Sequence, residues 1–392
     1  MYALCALLFF AGRLADAQAK RPLAQINLAE VSAPFNRALQ RSQGFPANVQ
    51  LSFLGENQLA VSSMDDWYYP AYGHTATKKF HFTLDIISLI GGSLKPSNQL
   101  RFETETSDSS FAALPSGKLI VDTGKELAVL DQSQRVALRG TVEQACDAPA
   151  GMDLDEPFWT KLLAGSEEIG FVSVERAPRK SLAEGPPIPL DTWNCWFSTT
   201  TLRLLARTNM KLVLPGPTST ARGLLVDSHS WSFSPTEQHT IAFPASSACV
   251  APDLERIAPE VNLLRAEAAS VFRCKKGAIL IERGDEKSVV RLKGEDDWFF
   301  RTDAWSVPLA IFVGGSFHAP LFGGNFSGRT VTRLVNYRTG ESIELPDIKI
   351  NIHTDVYAGP TLQFAISPGG HHVAVLSGPV LAVFDVPQRL LN

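Results

Sequence analysis

Apolar residues in this chain fall in short runs, cut by clusters of Gly, Pro, Asn, Asp and Ser. The clearest stretch is 362–385. It reads Leu-Gln-Phe-Ala-Ile, then Ser-Pro-Gly-Gly, then an apolar run to Leu376, then a short break, then Val380-Leu381-Ala382-Val383-Phe384-Asp385. This pattern predicts strand, tight turn, strand, short turn, strand. Looser copies recur. Runs 50–54 and 59–63 flank Gly55-Glu56-Asn57, and in 80–87 Phe82, Leu84 and Ile86 alternate with Thr83, Asp85 and Ile87. Runs 119–121 and 127–130 follow Pro115-Ser116-Gly117, and runs 279–282 and 288–292 flank Arg283-Gly284-Asp285. Period two over short segments is a strand signature. The best helical pattern is 253–269, where Pro259 would end or kink the helix.

The runs align on aromatic anchors. Phe53, Phe111, Phe233, Phe272 and Phe364 each take a first-strand position, and Gly55, Gly117, Gly277 and Gly369 mark the following turn in four of the five. An anchor of this kind suits packing between sheets, and the glycine suits a turn residue with positive φ. The spacing fits one four-stranded blade per repeat. The predicted fold is all-β, a single β-propeller domain over 20–392 with seven blades: 48–104, 108–141, 155–216, 219–264, 267–303, 304–347 and 358–387. Six or eight blades fit the same spacing. Residues 184–189 read as a loop in blade three, and Gly314-Gly315 and Gly323-Gly324 as loops in blade six.

The last repeat has room for three strands only, because seven residues follow Asp385. Residues 23–31 are the candidate outer strand that completes it. An uncompleted sheet would leave a free edge.

The best-formed repeat resembles the WD40-like β-propeller superfamily. Residues 364–370 look like that family's first strand and Ser-Pro-x-Gly turn. Residues 381–385 look like its third-strand ending, with Phe384-Asp385 where Trp-Asp is usual, and 127–131 are a second such ending with Leu130 in the aromatic's place. The family's Gly-His dipeptide does not stand at the blade starts; Gly73-His74 lies in a loop. The resemblance implies the fold and a bias toward binding proteins or ligands, and no particular activity.

Composition narrows the classes. Charged residues make up 19% of 392, the formal net charge is −4, and no Lys/Arg run stands out. Nothing marks a nucleic-acid surface. The N-terminus carries an apolar run over 2–12, then Arg13, then Ala17-Gln18-Ala19, a small-x-small cleavage pattern. The run is too short to span a bilayer, so 1–19 read as a signal peptide, although no Lys or Arg precedes the run. The chain is expected to be exported, periplasmic or extracellular. Four cysteines then remain, Cys146, Cys195, Cys249 and Cys274, which permit two disulfides in three connectivities. None forms a Cys-x-x-Cys pair.

One motif stands outside the repeat. Asp65-Asp66-Trp67-Tyr68-Tyr69 has a near copy in Asp296-Asp297-Trp298-Phe299-Phe300. Carboxylates beside large aromatics can grip a sugar, a cation or a partner side chain. The first copy opens the loop 64–77, on the propeller face that also carries the blade-to-blade connections. Asp65, Asp66, Trp67, Tyr68, Tyr69, Tyr72 and His74 are therefore the candidate contact residues. The second copy either opens an inner-to-outer strand turn or starts an outer strand. His74 and His81 with Asp65 and Asp66 form a weak mixed O/N metal alternative. His371-His372 points to opposite faces of a strand, and Ser316 near His318 lacks a nucleophile elbow. Asn325-Phe326-Ser327 is a glycosylation sequon.

The expected function is an exported, monomeric module that binds a protein, a small ligand or a glycan, without catalysis, cofactor or metal. The alternative is a propeller-type glycan hydrolase or lyase with acids converging on the central channel.

Overall fold

The computed structural model describes residues 21–41, 49–64, 80–104, 109–114, 116–123, 126–147, 157–164, 168–176, 191–208, 224–226, 231–233, 269–273, 278–283, 286–291, 298–303, 307–318, 327–345 and 362–392. These form antiparallel sheets in which strands adjacent in sequence lie side by side, except that the first strand joins the last sheet.

Strand β1 (Ala24–Asn27) leads into helices α1 (Leu28–Val31) and α2 (Ala33–Arg41). The first sheet is β2 (Leu51–Phe53), β3 (Gln58–Met64), β4 (Phe80–Ile90) and β5 (Ser93–Thr104). The second is β6 (Ser110–Ala113), β7 (Leu119–Asp122), β8 (Glu126–Leu130) and β9 (Val136–Thr141), followed by helix α3 (Val142–Cys146). The third is β10 (Pro157–Ala164), β11 (Ile169–Arg176), β12 (Asp191–Ser198) and β13 (Leu204–Thr208). The fourth comprises β14 (Leu224–Val226) and β15 (Trp231–Phe233) among the described residues; the fifth comprises β16 (Ala269–Arg273), β17 (Ala278–Arg283) and β18 (Glu286–Arg291). The sixth is β19 (Trp298–Asp303), β20 (Leu309–His318), β21 (Ser327–Asn336) and β22 (Ser342–Leu345). The seventh holds β23 (Leu362–Ile366), β24 (His372–Ser377) and β25 (Val380–Asp385), with β1 on its outer edge.

The seventh sheet shows why its strands look apolar throughout. Alternate residues serve different neighbours. Phe364, Ile366, Val373, Val375 and Phe384 pack on the sixth sheet's Leu309, Ile311 and Leu334. Ala365, Ala374, Leu376, Leu381 and Val383 pack on the first sheet's Leu51, Leu59, Val61 and Ile87. A strand buried on both faces reads as a continuous apolar run. The opposite face of the first sheet, through Ala60, Phe82, Leu84 and Ile86, packs on the second sheet's Phe111, Leu119 and Val121. The second sheet's Ile120, Leu127 and Val129 pack on the third sheet's Val172, Cys195 and Phe197. The order sixth, seventh, first, second, third thus joins the two ends of the chain. First strands follow the same order: β19 lies beside β23, β23 beside β2, β2 beside β6, and β6 beside β10. The architecture is an all-β, propeller-like series of antiparallel sheets, five of them four-stranded among the described residues.

The aromatic anchors explain themselves in this stack. Phe364 packs back on the sixth sheet, Phe53 on the seventh, and Phe111 on the first, so each fills the seam behind its own sheet. Phe272 lies on β16, the first strand of its sheet. Phe233 differs from expectation: it lies on β15, which pairs with the Leu-Leu-Val run of β14 ahead of it. The turn glycines also divide. Gly117 has φ +87, and a Cβ there would overlap the Leu54 carbonyl oxygen of the first sheet. In the last repeat the positive φ falls on Gly370, at +75, rather than on Gly369. Gly277 lies outside the described residues.

Three boundaries are corrected. The repeat spacing places 298–303 in blade five, but β19 opens the sixth sheet, with Trp298 opposite Gly314. Gly314 and Gly315 are not a loop; they sit inside β20, opposite Val331 and Thr330, because a ladder needs only backbone groups. The outer strand predicted over 23–31 stops at Asn27. Its side chain accepts the Ala29 N–H at 3.1 Å and donates to Glu30 at 2.8 Å, an N-cap arrangement that turns the helix-forming Leu-Ala-Glu-Val segment into α1. Residues 184–189, Gly323-Gly324 and 253–268 lie outside the described residues, while Ala269, the end of the predicted helix, begins strand β16.

The seam between the first and seventh sheets carries a polar fastening: the Ser367 hydroxyl donates to the Glu56 carboxylate at 2.8 Å, and the Gly369 N–H donates to its other oxygen. Ser367 in turn accepts the His372 N–H at 3.0 Å. The Ser-Pro-Gly-Gly turn of the last repeat therefore grips the β2–β3 turn of the first sheet. Both bonds are charge-assisted and half-buried. Glu56→Ala is expected to cost about 1–2 kcal/mol, read as a lower urea midpoint, and Glu56→Gln about half of that. Equal midpoints for all three proteins would show that the carboxylate does not fasten the seam.

Candidate functional site

In the first sheet, the β2–β3 and β4–β5 turns leave from one edge. The β3–β4 connection, 65–79, leaves from the other, together with the link from β5 to β6. The candidate residues Asp65, Asp66, Trp67, Tyr68, Tyr69, Tyr72 and His74 all lie in 65–79, outside the described residues. The strands that launch this connection are well defined. Met64 ends β3 opposite Phe82 of β4, and both are fully buried. Phe80 and Phe102 pack on the same cluster, with the Phe82 and Phe102 rings 6.5 Å apart. Beside them, the Thr104 hydroxyl donates to the Thr123 carbonyl of the second sheet at 2.7 Å, and the Gln50 side chain accepts the Phe111 N–H at 2.9 Å. The connection is thus rooted in an apolar, cross-braced platform spanning two sheets.

His81 is half-buried on β4, opposite Glu103 of β5. It stands at the foot of the connection, while His74, its suggested metal partner, is outside the described residues. In the second copy of the aromatic motif, Asp296 and Asp297 lie outside the described residues, and 298–300 begin the first strand of the sixth sheet. Neither expected placement, turn nor outer strand, is the observed one. The two copies do not occupy equivalent places. One bridges a second and third strand; the other enters a first strand.

The other chemistry-bearing residues separate. His371 is exposed, and His372 on β24 places its Nδ1 3.1 Å from the Asp385 carboxylate on β25. Ser316 and His318 lie two positions apart on the continuous strand β20. Asp131 folds its carboxylate into its own turn, and the backbone N–H of Arg135 and hydroxyl of Ser133 hold its pKa below the usual value. An open, shallow cleft of about 550 Å³ is bounded by Glu143, Gln144, Asp147, Arg203 and Leu204, beside α3.

Of the four cysteines expected to pair, Cys146 of α3 is bonded to Cys195 of β12, both buried. Cys249 and Cys274 lie outside the described residues. One feature was not singled out from the sequence as a site: Asp85. It sits in the middle of β4 at 7% exposure and accepts the Ser32 hydroxyl and the Gln99 amide, each at 2.6 Å. Burial pushes its pKa upward, and the bonds from Ser32 and Gln99 act against that rise. Its place in an alternating β pattern was legible, but its partner Ser32 is 53 positions away and had no local signal.

No family model matches the sequence, and no curated protein matches it. Solved structures resemble it at low identity. The WD40 domain of Neurospora crassa Pan2 is 9% identical, covers 94% of this chain and 95% of its own, and has a TM-score of 0.41. A chain of a mitotic checkpoint complex is 10% identical over 87% of this chain and 93% of its own, at a TM-score of 0.38. An uncomplexed acylaminoacyl peptidase from Pyrococcus horikoshii is 10% identical over 87% of this chain, at a TM-score of 0.40; this chain spans 51% of the peptidase's length. The chain's own series of antiparallel sheets, each built from consecutive strands, is propeller-like.

Proposed function

We propose that this chain is an exported, monomeric propeller of seven blades, closed by β1, that binds a protein, a small ligand or a glycan without chemistry. The contact surface is the face carrying the 65–79 connection. The observation that carries this reading is a contrast of lengths within one sheet. The β4–β5 turn uses Gly91 and Gly92, and the β2–β3 turn uses four residues, but the β3–β4 connection uses fifteen. Loops of that length on a compact scaffold commonly bind or catalyse. This one contains Trp67, Tyr68, Tyr69 and Tyr72 with two carboxylates. Aromatics of this type dominate the energetics of binding patches. The sequence of apolar seams, running from the sixth sheet through both chain ends to the third, supports a closed ring. The buried Cys146–Cys195 disulfide and the leader-like 1–19 support export.

The test is a comparison of the wild-type protein with Trp67→Ala/Tyr69→Ala on a glycan array and in crosslinking capture from an envelope extract. Retention is expected to fall about tenfold or more, with the melting curve unchanged because Met64, Phe80, Phe82 and Phe102 are left as they are. Full retention by the double variant would overturn the assignment of this face.

A further inference from the structure

We propose that the outer band of the seventh, first, second and third sheets rests on an anionic lipid surface. Leu23, Ile90, Val136 and Leu205 enter that surface, and Arg21, Lys95 and Arg135 meet its phosphates. Among the described residues the large apolar side chains that stay exposed are Leu23, Val31, Ile90, Val136 and Leu205. All but Val31 share one topological place, where the third strand of a sheet gives way to the fourth. Ile90, at 58% exposure, ends β4 ahead of Gly91 and Gly92. Val136 begins β9, and Leu205 is the second residue of β13. Leu23 directly precedes β1, which takes the fourth place in the seventh sheet.

Contacts between sheets join these places into one band. A Cβ on Gly92, in the β4–β5 turn, would stand 3.9 Å from Leu23 Cδ1. The Asn98 amide of β5 donates to the Gln134 side chain, in the turn before Val136, at 2.6 Å. Leu202, in the turn before Leu205, reaches β9, where a Cβ on Gly140 would overlap its Cδ1. Each of these turns thus leans on the fourth strand of the preceding sheet. The matching turn of the sixth sheet buries Tyr337 and exposes Arg338, Thr339 and Glu341 instead.

The charges beside the apolar residues select the occupant. Arg21 is two positions before Leu23, and Arg135 is next to Val136; both are exposed. Lys95, also exposed, pairs with Ser88 and so shares a side of the hairpin with Ile90. The acid in the β8–β9 turn, Asp131, has its carboxylate drawn into the turn by the Ser133 hydroxyl and the Arg135 N–H. Arg203 shares its cleft with Glu143 and Asp147, so the third sheet contributes Leu205 without a net positive charge. A protein partner buries a contiguous apolar patch. Here the apolar residues come one per sheet. A bilayer interface accepts such residues singly, because each tip that reaches its plane gains by itself, and basic neighbours add attraction to anionic headgroups.

The test attaches the environment-sensitive fluorophore NBD at Ile90→Cys and, as a control at the other end of β1, at Val31→Cys. Signals are corrected for the unsubstituted protein treated with the same reagent. The vesicles are phosphatidylcholine, alone or with phosphatidylglycerol at about three to one. Emission from position 90 is expected to rise about twofold or more on the anionic vesicles and to stay level on phosphatidylcholine; position 31 should not respond. No rise at 90, even if the protein pellets with the vesicles through its leader, would overturn the proposal. So would an equal rise at 31 or on phosphatidylcholine. A rise without vesicles that grows with protein concentration would assign the band to a second copy and overturn it too. In co-sedimentation, Ile90→Ser/Val136→Ser/Arg135→Gln should bind about tenfold more weakly with its melting curve unchanged, since all three side chains are exposed. The Trp67→Ala/Tyr69→Ala protein should bind vesicles as the wild type does, which separates this surface from the 65–79 face.

Discussion

Deletion of residues 20–33 lowers the melting temperature by about 10 °C or more, because the segment carries more contacts than its length suggests. It removes all of β1 and α1 and the Ser32 hydrogen bond to the Asp85 carboxylate. The backbone groups of Val380 to Val383 on the outer side of β25 lose their ladder partners. Leu28 leaves the seam, uncovering Leu89, Leu94, Leu381 and Val383, which share its cluster. A buried Leu alone contributes about 1.5–3 kcal/mol. With the ladder and the exposed cluster the loss reaches about 5 kcal/mol. In domains of about 150–250 residues, each kcal/mol shifts the midpoint by about 2–4 °C. The deletion also opens a bare strand edge, so the shortened protein should self-associate at concentrations where the full chain does not. Calorimetry and light scattering read the two effects. Val31→Ala serves as the control, since that side chain is 44% exposed and should leave the midpoint within about 1 °C. A melting curve unchanged by the deletion would show that β1 does not hold the seam.

The N-terminal strand was legible as an apolar, alternating segment, and β1 does pair with β25. Its extent was not, because a side-chain cap decides where the ladder stops. Asn27 can continue a strand or begin a helix, and only the Ala29 N–H and Glu30 carboxylate beside it settle the matter. The same distinction runs through the fold. Strands with their own turn chemistry, such as β23 and β24 around Ser367 to Gly370, announced themselves. The assignment of Trp298 to the sixth sheet did not, since pairing with Gly314 depends on residues beyond the local pattern. Apolar alternation identified strands but not the seam each face would fill, because both faces are apolar. Of the candidate site, its platform of Met64, Phe80, Phe82 and Phe102 is now defined. The Glu56 and Ser32 fastenings were invisible, since each joins residues distant in sequence through a single carboxylate.

Replacing both Cys146 and Cys195 with alanine is expected to lower stability by about 2–4 kcal/mol. The bond spans 49 positions in sequence, and the loop-closure relation gives about 4 kcal/mol for a loop of that size. Packing adds to the effect. Cys146 ends α3, a five-residue helix that could not persist alone. The helix starts from Thr141, whose hydroxyl accepts the Gln144 N–H at 3.1 Å, and ends at Asp147 in the left-handed conformation. Val142, Ala145 and Cys146 face the seam between the second and third sheets, beside Phe197 and Leu202. The disulfide therefore pins a marginal helix to β12 and keeps that seam covered. Its loss should act locally first. In hydrogen exchange, amides of 142–147 and of β12 and β13 should lose protection before those of the first and seventh sheets, which the bond does not touch. Reduction by dithiothreitol in the wild-type protein should reproduce both the lowered midpoint and the local pattern. Uniform loss across all sheets would mean that the molecule opens as one unit and that the helix has no separate stability for the bond to supply. Because both sulfurs are buried, reduction should also be slow until that edge opens. The rate of thiol exposure should then follow the rate of local opening, linking persistence of this seam to the oxidising surroundings in which the bond forms.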